Sequence, residues 1–124
     1  MKFRWHTLQD AFDAVQKYCE THSLPKENCF RLNLVCEELV VNLLKYTQTP
    51  GYHLNFSPIG EKTEIVLTYQ AGKFDPTKKT EYKNKPLEER EYGGLGLVLV
   101  NSLAQKIDYQ FNEKQSLNVI RIIL

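Results

Sequence analysis

A chain of 124 residues with 42% apolar and 11% aromatic side chains can bury one hydrophobic core and is too short for two of ordinary size. Its 16 Lys and Arg nearly balance 15 Asp and Glu, and no basic stripe is interleaved with aromatics, so neither nucleic acid nor an anionic membrane is an expected partner. No apolar run approaches the ~18 residues of a membrane span and Met1 to Trp5 form no apolar leader, which predicts a cytoplasmic protein organised as a single domain over 1–124.

Lys2 to Trp5 reads as a short edge strand, and Thr7 offers a cap for a first helix in which Leu8, Ala11, Phe12, Val15, Tyr18 and Cys19 recur at helical spacing. Pro25 suits the first turn of a second, longer helix that runs to about Tyr46. Leu32, Val35, Cys36, Leu39, Leu43 and Tyr46 form its predicted buried stripe, with Glu38 and Asn42 one turn apart on a neighbouring face. On this helix alone the pair reads as a solvated surface contact or as a carboxylate and an amide facing a ligand. The cysteines Cys19, Cys29 and Cys36 are odd in number and lack C-x-x-C spacing, so they read as reduced core thiols rather than a disulfide or zinc framework. His6, His22 and His53 are too dispersed to nominate a metal site.

After the Pro50-Gly51 turn, Tyr52, Leu54 and Phe56 alternate with polar residues as a half-buried strand, Pro58 to Glu61 turns, and Thr63 to Tyr69 pairs back as a hairpin. From Thr77 to Tyr92 nine of sixteen residues are charged and no apolar periodicity is present, which predicts a mobile surface lid. Tyr92-Gly93-Gly94-Leu95-Gly96-Leu97 then opens a third helix to about Gln105. Its glycines let backbone approach a ligand without interference from Cβ, at a helix start whose free N–H groups favour an anion. Ile107, Tyr109 and Phe111 alternate with polar residues and Leu117 to Leu124 is β-branched and apolar, so the chain ends in a second hairpin. The expected fold class is α+β: a two-layer sandwich of a largely antiparallel mixed sheet covered on one face by three helices.

Taken in order, Glu38-x-x-x-Asn42 on a helix, Gly72-x-Phe74-Asp75-Pro76 after a strand, a charged lid and Gly93-Gly94-Leu95-Gly96-Leu97 opening a helix resemble the GHKL ATPase superfamily, closest to the bacterial anti-sigma-factor serine/threonine protein kinases. The resemblance covers nearly the whole chain and implies a histidine-kinase-like, Bergerat-type fold that binds ATP and Mg²⁺. It implies that Glu38 acts as general base and that Asn42 ligates magnesium through its side-chain oxygen. Gly93, Gly94, Leu95 and Gly96 would form the phosphate cradle, Gly72 would pass close to the adenine, and Phe74 and Asp75 would shape the start of the lid. Where the family's pattern has an aspartate that accepts from the adenine amino group, two residues before Gly72, this chain has Gln70. Asn118 on the last strand is similar in place to an asparagine near the family's nucleotide pocket. The implied function is an ATP-binding anti-sigma regulator, possessing in one version serine/threonine kinase activity toward an anti-sigma-factor antagonist. The alternative is a degenerate member that binds ATP weakly or not at all and acts by protein association. The implied partners are a sigma factor, an antagonist, or both, with a homodimer allowed.

Overall fold

The computed structural model describes residues 5–77 and 93–124, the first few residues of the latter stretch by their backbone alone. All but Thr77 of the lid expected over Thr77 to Tyr92, and all but Trp5 of the strand expected at Lys2 to Trp5, lie outside the described residues. Trp5 itself bridges antiparallel to Tyr52, whose N–H donates to the Trp5 carbonyl at 2.8 Å.

Helix α1 (Leu8–Thr21) begins at a capping box: Thr7 Oγ1 accepts from the Asp10 N–H at 3.2 Å while the Asp10 carboxylate accepts from the Thr7 N–H at 3.0 Å. Helix α2 (Lys26–Tyr46) follows a turn in which Ser23 takes a positive φ of 50°. Its buried positions are Leu32, Val35, Cys36, Leu39, Val40, Asn42 and Leu43. Tyr46, expected in that stripe, is instead 43% exposed at the last position of the helix. α2 packs against both α1 and the third helix, α3 (Gly93–Leu103).

The cysteine expectation is overturned for two of the three thiols. Cys19, near the end of α1, and Cys29, in the first turn of α2, form a disulfide with their Cα atoms 5.9 Å apart. The tight turn between the helices brings together two residues that sequence spacing alone places on separate faces. Cys36 is the free cysteine among the described residues, and complete burial pushes its thiol pKa far up.

Four strands follow: β1 (Tyr52–Ile59), β2 (Lys62–Gln70), β3 (Lys106–Asn112) and β4 (Leu117–Ile123). They lie in the order β1-β2-β4-β3, and every neighbouring pair is antiparallel, in keeping with the largely antiparallel sheet expected. β1 runs through Pro58, expected in the turn, because an edge strand tolerates a residue without an N–H; the reversal is made at Gly60 with φ of 60°. After α3 the chain descends on the far edge as β3 and returns beside β2 as β4. Tyr52, Tyr69 and Asn118 are thereby opposite one another across β1, β2 and β4, on the face that carries Leu54, Ile65, Leu67, Ile120 and Ile122 into the core. Ala11 and Val15 of α1, the α2 stripe and Val100 of α3 complete that core. The fold is the α+β sandwich expected, with helices on one face of an antiparallel sheet. Among the described residues no helix is long and apolar enough to cross a membrane.

Candidate functional site

Helical phase sorts α2 into two flanks. Cys29, bound to Cys19, marks the flank turned to α1, and Glu38, Asn42 and Tyr46, spaced at i, i+4 and i+8, occupy the other. That second flank meets the segment after β2: the Tyr46 and Phe74 rings lie 6.1 Å apart, centroid to centroid, tilted by 38°. Three residues further, the Thr77 carbonyl accepts from Asn101 Nδ2 of α3 at 3.1 Å. The end of α2, the 71–77 segment and α3 are thus linked in sequence by these two contacts.

Asn42 is 1% exposed, and its Nδ2 donates to the Glu38 carbonyl at 2.6 Å, so the end of the amide left for a ligand is Oδ1. Glu38 is half-buried. Desolvation, followed by the neighbouring charge of Glu37, raises its pKa above the usual carboxylate value, the direction a general base near neutral pH requires. A carboxylate and an amide oxygen are hard donors, suited to magnesium held mainly by phosphates and water. No cluster of three His, Cys, Asp or Glu that could hold a metal ion is found among the described residues.

The 71–77 segment is held from beneath by a buried polar network that the sequence did not announce. Asn118, fully buried on β4, donates from Nδ2 to the carbonyls of Ala71 and Gly72 at 3.2 and 3.3 Å, and its Oδ1 accepts from the Phe74 N–H at 3.2 Å and from the Tyr109 hydroxyl. Tyr109 Oη is also 3.1 Å from the Phe74 nitrogen, and the Tyr69 hydroxyl donates to the Phe74 carbonyl. Burial raises the pKa of both phenols, so they remain protonated donors throughout the neutral range. Asp75 Oδ1 accepts from the Thr77 N–H and hydroxyl at 2.8 and 2.5 Å, turning the chain toward α3.

The structure does not bring Gln70 to this side of the sheet. Strand alternation places it on the face of the sheet away from the helices, where its Nε2 donates to the Gln115 carbonyl at 3.2 Å. Its neighbour Tyr69 takes the helix-facing place, fully buried. Counting back from Gly72 put the acceptor one residue out of phase, and a one-residue shift along a strand exchanges the two faces. At Gly72 itself a Cβ would meet nothing within 4 Å, so the chain's own packing does not require glycine there. Gly93, Gly94 and Gly96 form the first turns of α3 rather than a turn ahead of it, and the side chain of Leu95 lies outside the described residues.

Beside Tyr46 and Phe74 a cavity of about 400 Å³ opens, lined also by Thr47, Gln48, Gly72 and Lys73. Aromatic faces with a few polar groups at the rim are the usual make-up of a small-molecule site. Among curated proteins no match to the chain was found. The family model of the histidine kinase-like ATPase domain matches residues 3–124. With that match running almost end to end over an antiparallel sheet covered by helices, the chain belongs to the histidine kinase-like ATPase domain family.

Proposed function

We propose that the chain is an ATP-binding regulator that phosphorylates a serine or threonine of an anti-sigma-factor antagonist and associates with a sigma factor. The observation that supports this reading best is the flank of α2 on which Glu38, Asn42 and Tyr46 stand in line, Tyr46 meeting Phe74 of the 71–77 segment, which Thr77 and Asn101 tie to α3. The base would lie against Tyr46 and Phe74, and the phosphates toward Asn42 and the glycines that open α3, whose helix start favours negative charge. Magnesium bound there would screen phosphate charge. Asn42 would hold the ion through Oδ1, and Glu38, with its raised pKa, would accept the proton of the attacking hydroxyl as the bond to the γ-phosphorus forms and ADP leaves.

A second reading keeps the fold and the partner surface but gives up tight nucleotide binding. What favours it is Tyr69, a buried phenol at the helix-facing end of β2 where no carboxylate stands. Calorimetric titration of the purified chain with ATP and MgCl₂ separates the two. Saturable binding of one nucleotide per chain supports the regulator, and no heat of binding up to millimolar ATP leaves the association module.

A further inference from the structure

Between α1 and β1 lies a second cavity, of about 360 Å³, that shares no lining residue with the one beside Tyr46 and Phe74. Trp5, Tyr18 and Phe56 give it aromatic walls, Ala14 lines its helical side, and Lys17 and His22 bring nitrogen groups to it. The walls hold one another in place. The Tyr18 ring lies 5.3 Å from Phe56 and 4.3 Å from His22, centroid to centroid. Trp5 meets the His53 ring edge-on at 5.0 Å, and its carbonyl accepts from the Tyr52 N–H. Rings fixed before a ligand arrives lose little freedom when it binds. Aromatic faces attract cations as well as other rings, so the charge around them decides which ligand fits. None of the described residues that line the cavity is Asp or Glu, whereas the exposed Lys17 is among them. The carboxylates of α1 are directed to other partners: Asp10 accepts from the His6 and Thr7 N–H groups, Asp13 from Gln9 and Glu20 from Gln16.

We propose that this cavity is a binding site for a small aromatic carboxylate, its ring packed among Trp5, Tyr18 and Phe56 and its carboxylate paired with the Lys17 ammonium. The volume falls in the range of small-molecule sites, and apolar walls with a few polar groups are their usual make-up. A ring bearing an ammonium would gain from the same aromatic faces but meet Lys17 as a like charge. The inference stands apart from the nucleotide reading, since the two cavities have no lining residue in common.

Trp5 is the single tryptophan of the chain, so its fluorescence reads occupancy of this cavity directly. The test is a fluorescence titration of the full chain with phenylacetate and with benzylammonium, which pair the same ring with opposite charges. Phenylacetate is expected to give a saturable change with a Kd of about 1 mM, and benzylammonium to bind about fivefold more weakly. Lys17→Gln, at an exposed position, is expected to bring the two within about twofold of each other. Ala14→Leu fills the cavity from its helical side with a good helix former and is expected to weaken phenylacetate by about tenfold or more. No saturable change up to about 20 mM phenylacetate overturns the site. Benzylammonium binding as tightly as phenylacetate overturns the carboxylate class, and a preference that persists in Lys17→Gln overturns the pairing with Lys17. Undiminished binding in Ala14→Leu overturns the placement between α1 and β1.

Discussion

Glu38 is the residue at which stability and chemistry pull in opposite directions. Its pKa is raised by desolvation and by Glu37, so the native state binds more protons than the unfolded chain between the ordinary carboxylate pKa and the raised one. Stability therefore falls as pH climbs through that window and levels off above it. Glu38→Gln removes the ionisation, so its Tm is expected to exceed that of the unsubstituted chain at pH 7, with the difference closing at about pH 3, below the ordinary carboxylate range. Scanning calorimetry at the two pH values checks this, and loss of phosphotransfer to a serine substrate in the same variant assigns the carboxylate its chemical role. Asn118 is the opposite case, since all of its bonds favour the fold. Asn118→Ala strands carbonyls of Ala71 and Gly72 in a buried setting and is expected to cost about 2–4 kcal/mol in urea unfolding. Gln70→Asp, on the outer face, is expected to leave ATP affinity within about twofold, because the side chain does not reach the cleft. Of these three, Glu38 was legible from its i, i+4 spacing to Asn42. Gln70 was misplaced because a strand read without its register has no fixed face, and the Asn118 network was invisible because its members are up to 49 residues apart in sequence.

At the level of elements, the helices were the most legible, since their apolar stripes recur over three or more turns and Thr7 and Pro25 mark their starts. β1 and β2 came out one or two residues short at their ends: backbone pairing continued through Pro58 and Gln70, where composition signals a turn or the strand's end. The Cys19–Cys29 bond escaped altogether, because nothing in a separation of 10 residues says that two helices fold back at His22–Leu24 and place the sulfurs face to face. That bond closes a short loop, and in the chain-entropy account it restricts the unfolded state by about 2–3 kcal/mol. Unfolding in urea with and without a reducing agent, beside a Cys29→Ala variant that should not respond to it, is expected to reproduce that difference. Equal stability under both conditions would mean that α1 and α2 are held by their apolar contact alone.

Across the whole molecule the two sides of α2 divide the labour. The α1 side is stapled by the disulfide and built on Ala11, Val15 and the Trp5–Tyr52 bridge, while the α3 side carries the half-buried carboxylate, the amide and the cavity against the 71–77 segment. A ligand that stabilises the native state by binding one side slows local opening where it touches and leaves independent regions unchanged. Hydrogen exchange followed by mass spectrometry is therefore expected to show protection by ATP and MgCl₂ in peptides covering 38–48, 71–77 and α3. Peptides covering α1 and β1 before Pro58 should exchange at the same rate with and without nucleotide. Protection centred on α1 and the Trp5–Tyr52 edge would place the nucleotide on the wrong side of α2 and remove Glu38 from the reaction. A uniform slowing over the whole chain would instead show that binding acts on global unfolding, leaving the position of the site to the substitutions above.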